Sequence, residues 1–279
     1  EFVKGQRFLG LRRVSLDNGV QFGSLFSERI ITDILAEVGV PASRTNYARV
    51  TLNGKFIGVY VNVERIDKAF LSNRLDDAGG ALFKVHTGGP GADLRYIGDD
   101  PLIYSKAFEI KAGEPAVQMS DLVGLIREIR DIPDKDFAAR LRRVFDVDAF
   151  TWQMGVLLLA GAFDQYTGLG PHNYYLHRES QTGRWRYLTW DLDVGFADRA
   201  FGRVPVIDGW HAAWPVFRSP RPLVERIEAN EELLGLYRER ARKLLDSHFH
   251  PEKLSARLDR LYALVRKDLE RDPFPRGRV

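Results

Sequence analysis

The spacing of apolar side chains changes along the chain, from a period of two residues near its start to a helical period soon after. Residues 7–17 alternate apolar and polar side chains, a pattern that predicts a strand. In residues 24–39 the apolar side chains recur at helical spacing, and Gly39 acts as a stop signal. We therefore expect a strand followed by an amphipathic helix.

Strand signals dominate the rest of the first third. Two β-rich runs in residues 46–67 flank Asn53-Gly54, a dipeptide typical of two-residue hairpin turns. A short helix is predicted at residues 67–75, and a further strand at residues 80–87. These elements predict a β-rich N-terminal part.

Helical spacing dominates the remainder. Residues 146–163 are apolar on nearly all sides, which is typical of a helix buried in a core, and Asp148 lies near its start. Residues 204–222 are rich in proline and are expected to be irregular. The other predicted helices span residues 117–132, 134–145, 222–249 and 251–272. The pattern predicts an α+β protein with a β-rich part, 1–113, and a helical part, 114–279.

Composition mainly excludes function classes. With 279 residues, 44% of them hydrophobic and 28% charged, the chain has the make-up of a soluble globular protein. Its net charge of +3 does not indicate nucleic-acid binding. The absence of cysteine excludes disulfides and thiolate sites. A membrane span needs about 18 to 20 apolar residues, and no run is that long. No signal peptide is recognisable.

The most informative polar residues surround a predicted hairpin that turns near residues 181–182. Asp164 precedes a loop, Asn173 begins the strand-like run NYYLHR, and Asp191 and Asp193 follow the returning run RWRYLTW. Paired residues in an antiparallel hairpin have numbers of constant sum, so Asn173 faces Asp191 or the residue before it. Asn173 and Asp191 are therefore expected at the same end of the hairpin.

Carboxylate and amide oxygens, without cysteine or a histidine pair, suit a hard cation such as Mg²⁺. If Asp191 and Asp193 alternate along a strand, their carboxylates share one face and repel each other unless a cation lies between them. The order Asp, Asn, strand, turn, strand, Asp also occurs in protein kinases, where the first Asp accepts the hydroxyl proton. The alternative is structural, because Asp and Asn are common turn residues whose side chains cap loops.

The runs HNYYL at 172–176 and WDLDVGF at 190–196 resemble the signature of the spore-coat protein H (CotH) kinase family. The stretches LRRVSLDN, ALFKV and RPLVERIEANEELLGLYRERARKLL are similar to other parts of that family, in the same order. The resemblance implies a two-lobed, atypical protein-kinase-like fold, with a small β-rich lobe and a larger helical lobe. It also implies ATP and Mg²⁺ (or Mn²⁺) between the lobes.

Carried over by position, the resemblance implies a role for each polar residue. Asp164 would be the catalytic Asp, Asn173 and Asp191 would be metal ligands, and Asp193 would support the metal site. The loop between Asp164 and Asn173 holds eight residues, more than the corresponding kinase loop, with GLGP as an insertion. His172 is expected to support this loop by a hydrogen bond.

The ATP-binding residues are not fixed by the resemblance, since no G-x-G-x-x-G loop and no Val-Ala-x-Lys strand is present. Arg13 could pair with Glu28 as the kinase Lys–Glu pair does, and Lys84 in ALFKV is the other candidate for contacting phosphates. Each could equally be an ordinary surface or structural charge. Glu64 lies where a kinase hinge reads adenine, or else it caps the helix that follows.

Other side chains near the motif carry less information. Trp190 is expected to pack under the metal loop, and His177, in the middle of the hairpin, to be exposed. Trp210 and Trp214 lie in the irregular segment, where kinases carry an activation or substrate loop. They either shape a substrate cleft or belong to the core.

The sequence leaves three functions open. The resemblance implies a kinase that phosphorylates Ser or Thr of secreted or coat proteins, and with it a secreted, cell-surface or coat-associated location. The same metal ligands would serve transfer of AMP or glutamate, and a kinase fold without turnover could be an adhesion module. The expected partners are a protein substrate and a nucleotide, without nucleic acid and without a membrane span.

Overall fold

The computed structural model of the protein describes residues 5–6, 13–19, 25–77, 79–113, 115–168, 170–196, 199–200, 204–205 and 220–274. The start of the first predicted strand (7–12), Trp210 and Trp214 lie outside these ranges. The described helices are α1 (Ser27–Glu37), α2 (Lys68–Leu75), α3 (Pro115–Asp131), α4 (Phe137–Val144), α5 (Val147–Leu159), α6 (Pro222–Ala229), α7 (Glu231–Ser247) and α8 (Pro251–Leu269). The described strands are β1 (Ser15–Asp17), β2 (Thr45–Leu52), β3 (Lys55–Val63), β4 (Ala81–Val85), β5 (Glu109–Ala112), β6 (Tyr174–Arg178), β7 (Trp185–Thr189), β8 (Arg199–Ala200) and β9 (Val204–Pro205). Short 3₁₀ helices cover Pro101–Tyr104 and Asp134–Asp136.

Helix α1 follows the predicted apolar period. Its isoleucine and leucine side chains are buried and pack against the C-terminal half of α5. After the helix, Gly39 adopts a left-handed φ of 79°, and its amide donates to the Ala36 carbonyl. The predicted helix and its stop signal are confirmed, and the packing attaches α1 to the helical part of the protein.

Strands β2 and β3 form the predicted hairpin. Asn53 and Gly54 have left-handed φ angles of 50° and 76°, as two-residue hairpin turns require. Strand β1 pairs antiparallel with β3, so the sheet has the order β1-β3-β2. Asp17, the last residue of β1, lies opposite Val61.

A second antiparallel sheet contains the hairpin of the polar motif, in the order β5-β4-β6-β7. Strand β4 pairs with β6, with Ala81 opposite Arg178. Two strands from before residue 113 and two from after it therefore share one sheet. The division into 1–113 and 114–279 stays a prediction, and the sheet crosses that boundary.

His177 lies inside this sheet, so the prediction that it is exposed is wrong. Its side chain is 0% exposed. Ring atom Nδ1 lies 2.9 Å from the Ala81 carbonyl oxygen, and Nε2 lies 3.2 Å from Asp77 Oδ2. Strand β6 is buried on both faces from Tyr174 to His177, and alternation between faces therefore gives no exposed positions there.

Helix α5 is the buried helix predicted from the apolar run. The Asp146 side chain caps it by accepting a hydrogen bond from the Ala149 amide at 3.1 Å. The helix packs against α1, α7 and β7, so apolar neighbours surround it. It leads directly into the loop that carries Asp164.

Helices and antiparallel sheets occur together, which confirms the α+β class. Among the described residues, no helix combines the length and the apolar character needed to cross a bilayer.

Glu228 on α6 makes stability depend on pH. Its Oε1 is buried without a hydrogen-bond partner in the described ranges, and burial, followed by the charge of Glu225, raises the pKa of Glu228 to about 7. Because the folded state then holds the proton more tightly than the unfolded state, stability falls as pH rises from about 4.5 towards 7. We expect Glu228→Gln to raise the free energy of unfolding by about 1 kcal/mol at pH 8, and to leave it unchanged at pH 4. Urea unfolding at both pH values checks this, and an equal effect at both would contradict it.

Candidate active site

The polar residues lie at the open end of the β6–β7 hairpin. Tyr174 pairs with Thr189, and the Trp190 amide donates to the Asn173 carbonyl at 3.1 Å. Asn173 therefore faces Trp190, one of the two predicted partners, and Asp191 is the next residue. The hairpin brings Asn173 and Asp191 to the same end, as the constant-sum rule predicted.

Asn173 and Asp191 both have a left-handed backbone, with φ of 58° and 60°. This conformation is unusual outside glycine, although Asn and Asp tolerate it best, and it occurs often at functional sites. Strand β7 ends at Thr189, so Asp191 and Asp193 do not lie on a strand. The strand geometry in which the two residues would share one face does not occur, because the chain leaves the extended conformation at Asp191.

The loop between Asp164 and Asn173 folds back on itself. Asn173 Nδ2 donates to the Asp164 carbonyl at 3.0 Å and to Asp164 Oδ2 at 3.2 Å. His172 Nε2 lies 2.8 Å from Asp164 Oδ1, which confirms the hydrogen bond predicted for His172. The loop closes tightly at Gly168, where an added Cβ would lie 2.0 Å from the Phe163 carbonyl oxygen. Eight intervening residues therefore still bring Asp164 against Asn173.

Asp191 and Asp193 are half-buried acids with few compensating contacts. Burial, followed by the charges of Asp191, Asp17 and Asp164, raises the pKa of Asp193 to about 7. Burial, followed by the charge of Asp17, also raises the pKa of Asp191. These carboxylates repel one another, and a cation among them would remove that repulsion.

Glu28 belongs to this acidic group, so the predicted pair with Arg13 is wrong. The Glu28 side chain is 4% exposed, and its Oε1 lies 3.5 Å from the Leu192 amide. Burial, followed by the charges of Asp191 and Asp17, raises the pKa of Glu28 to about 8. Arg13 is exposed to solvent and forms no ion pair with Glu28. Helix α1 directs Glu28 inwards, towards the Asp-Leu-Asp segment.

Lys84 on β4 is a half-buried base beside the acids. Its ammonium lies 5.2 Å from the centroid of the Trp190 ring and 5.7 Å from that of Tyr175. Burial, and then the charge of Lys111, lowers the pKa of Lys84, while Asp191 opposes this effect. No carboxylate of the described chain lies within ion-pair distance of Lys84. The ammonium is therefore placed to attract an anion.

Trp190 packs edge-on against Tyr175, with 5.8 Å between ring centroids, next to the Asp-Leu-Asp segment. The ring and Lys84 thus border the acids from the side of the four-stranded sheet.

Glu64 lies apart from the hydrogen bonds of the hairpin end. Its carboxylate forms an ion pair with Arg44 and another, at 3.4 Å, with Arg74. Helix α2 is capped by Asp67, whose side chain accepts from the first amides of the helix. The alternative in which Glu64 caps this helix is therefore wrong, and its contact with adenine stays a prediction.

Two residues of the site were missed by sequence reasoning. Asp17 on β1 raises the pKa values of Asp191 and Glu28, and His86, two positions after Lys84, lowers that of Asp191. The signal for Asp17 was its place at the end of the strand before α1. His86 directly follows β4, which ends at Val85.

The donor set is incomplete as a metal site made of protein alone. Among the described residues, no group of three or more His, Cys, Asp and Glu side chains is arranged to hold a metal ion. The hairpin end instead offers two carboxylates and the Asn173 amide oxygen, whose amide nitrogen is already bonded to Asp164. This set fits Mg²⁺, which usually takes one or two carboxylates together with phosphate oxygens and water.

Comparisons with known proteins agree with the motif. The inner spore coat protein H of Bacillus subtilis is 23% identical over 281 residues, which cover 100% of this chain and 74% of that protein. Invasin CotH2 of Rhizopus delemar is 26% identical over 175 residues, covering 61% of this chain and 29% of that protein. The family model described as CotH kinase protein matches residues 1–278. Since this match covers nearly the whole chain, including the hairpin acids, the chain belongs to the CotH kinase protein family.

Proposed function

We propose that this protein is an ATP- and divalent-metal-dependent protein kinase that phosphorylates Ser or Thr hydroxyls of secreted or coat proteins. The observation that carries the proposal is the contact between Asp164 and Asn173, beside the mutually repelling carboxylates of Asp191 and Asp193. A base next to a cation site with oxygen ligands is what phosphoryl transfer to a hydroxyl requires. The family description as a kinase supports the same reading.

Asp164 is the proposed catalytic residue. One carboxylate oxygen accepts from Asn173 Nδ2 and the other faces His172 Nε2, so two neighbours fix its orientation. In the proposed mechanism, Asp164 accepts the proton of the substrate hydroxyl as that oxygen bonds to the γ-phosphorus, while the bond from this phosphorus to the β–γ bridging oxygen breaks and ADP leaves. Positioning of this kind contributes about 10²–10⁴-fold to the rate of a general-base reaction.

Asn173, Asp191 and Asp193 would hold Mg²⁺ or Mn²⁺. When bound, the ion would neutralise phosphate charge. The raised pKa values of Asp191 and Asp193 support this assignment, because their crowded, half-buried carboxylates are better accommodated beside a cation. The left-handed backbone of Asn173 and Asp191 turns the chain out of the sheet at this point.

Lys84 is the proposed contact to the phosphates. It is half-buried, lies next to Asp191 and has no acid within ion-pair distance among the described residues. Arg13 is exposed and Glu28 faces the acids, so neither supplies a Lys–Glu pair. In the proposed two-lobed, kinase-like arrangement, ATP lies between Lys84 and the hairpin end, and Glu64 borders adenine.

The substrate class and location rest on the relatives. One is named an inner spore coat protein and the other an invasin, so a coat, surface or secreted location is proposed. Protein hydroxyls in such surroundings are the proposed acceptors. A non-catalytic adhesion module is the second candidate, favoured by the name of the fungal relative.

Incubation with ATP and Mn²⁺, followed by intact-mass measurement, tests the proposal. We expect additions of about 80 Da per phosphoryl group on the protein or on an added protein substrate; AMP would add about 329 Da and glutamate about 129 Da. A thermal shift with ATP and Mn²⁺ is expected as well, because a ligand that binds only the folded state stabilises it. Binding without any mass change would favour the adhesion module. An added mass that matches AMP or glutamate would show that the enzyme transfers that group instead of a phosphoryl group.

A further inference from the structure

Gln165 joins the two halves of the candidate site. It follows Asp164 in the chain, and its side-chain Nε2 donates to the carbonyl oxygens of Trp190 and Asp191, both at 3.0 Å. The side chain is 1% exposed. A single amide group thus connects the loop of the proposed base to the backbone of the proposed metal ligand.

The amide of Gln165 can hold this connection in only one orientation. Both neighbours are carbonyl oxygens and accept hydrogen bonds, so the NH₂ group must face them. Its Oε1 is then left buried, with no hydrogen-bond partner in the described ranges. A buried acceptor without a partner is unfavourable, so it offsets part of the stabilisation from the two donated hydrogen bonds. What the side chain supplies in return is these two bonds to the backbone beside Asp191.

The two accepting carbonyls lie where the chain leaves strand β7. Asp191 has a φ of 60°, and rotation of its peptide groups would turn the two carbonyls away from each other. Because one NH₂ group binds both carbonyl oxygens, it holds this backbone turn and with it the direction of the Asp191 side chain. The bonds also fix the distance between the Asp164 loop and Asp191.

We infer that Gln165 is a positioning residue that holds Asp191 in register with Asp164 for binding of the metal–nucleotide complex. This inference rests on the proposed function. Gln165 contacts neither the substrate nor the cation in this role; it acts through the backbone of Asp191. Loss of a residue that orients a metal ligand commonly weakens metal binding by about 10–100-fold.

Gln153 offers a matched control. It is also 1% exposed, its Nε2 donates to the Tyr187 carbonyl of the same hairpin at 3.1 Å, and its Oε1 is also buried without a partner among the described residues. Its bond, however, holds the middle of β7 rather than the turn at Asp191. Gln165→Met and Gln153→Met each remove the donor while keeping the length of the side chain.

The experiment measures Mn²⁺ affinity in the presence of ATP by titration calorimetry, and melting temperature without ligand. Both Met variants are expected to shift the melting temperature by similar amounts, while Gln165→Met alone weakens Mn²⁺ binding, by about 10-fold or more. Gln165→Asn, which keeps the amide but is shorter by one methylene, is expected to weaken it too, and it serves if the Met variant does not fold. Equal Mn²⁺ affinity in the variants of Gln165 and Gln153 would overturn this inference and leave the proposed function standing. Absence of Mn²⁺ and ATP binding in the wild type would instead overturn the proposed function, and this inference with it.

Discussion

Asp164→Asn is expected to lower the rate of phosphoryl transfer by about 10²–10⁴-fold, because it removes the proposed base but almost no volume. The contacts of the loop are expected to survive. Asn173 keeps the backbone carbonyl of residue 164 as an acceptor at 3.0 Å, and the new amide can still bond His172. The melting temperature and the affinity for Mn²⁺ and ATP should therefore stay close to those of the wild type. Single-turnover transfer of labelled phosphoryl, measured with saturating ATP, is the direct test.

Asp121→Asn is the matched control for this change. The Asp121 and Asp164 side chains are each 29% exposed, and each lies against one basic partner, Arg178 for Asp121 and His172 for Asp164. Asp121 lies on α3, away from the hairpin end, and its replacement should leave the rate unchanged. A rate in Asp164→Asn equal to that of the wild type would show that another group accepts the proton.

Asp191→Asn is expected to have opposite effects on the free and the ligand-bound protein. Without ligand, removing this charge relieves repulsion with Asp17, Asp193 and Glu28. The gain should be about 1 kcal/mol, a rise in melting temperature of roughly 2–4 °C. With Mn²⁺ and ATP the stabilising shift should disappear, because the variant lacks the carboxylate that the cation requires. Few substitutions stabilise a protein while abolishing its ligand response, which makes the pair of results diagnostic.

Melting curves of wild type and Asp191→Asn, with and without Mn²⁺ and ATP, check both effects. Asp33→Asn provides the contrast, because Asp33 is ion-paired with Arg29 at 2.7 Å rather than surrounded by acids. That variant should gain no stability and should keep the full ligand shift. A rise in melting temperature with Mn²⁺ and ATP that is as large in Asp191→Asn as in the wild type would show that Asp191 does not belong to the proposed metal site.

The hairpins could be predicted because their signals are local. Asn53-Gly54 specifies its own turn, and the constant-sum rule needs only the position of the second turn to bring Asn173 and Asp191 together. Helix α1 could also be predicted, because its apolar period and Gly39 lie within one short segment. The hydrogen bond of His172 to Asp164 could be predicted for the same reason.

Contacts between distant segments could not be predicted in this way. The period of α1 gives a helix, but not that Glu28 points at the Leu192 amide, 164 positions further along the chain. The sequence predicts His177 at the surface because nothing local indicates that β4 pairs with β6. The strand face assumed for Asp191 and Asp193 failed at a single backbone angle, the φ of 60° at Asp191. The role of Gln165 depends on all three of these circumstances: a distant partner, full burial and an unusual turn.

The pairing of β4 with β6 also bears on when the site forms during synthesis and folding. Ala81 and His177, in contact across this pair, are 96 positions apart, and the Val59 amide reaches its acceptor, Asp272, across 213 positions. Closing such long loops is entropically unfavourable and slows folding. A growing chain can fold β2 and β3 early, but strand β4 must wait for β6. The proposed base, metal ligands and phosphate contact thus assemble only after residues 164–193 have left the ribosome, so a shorter nascent chain has not formed the candidate site.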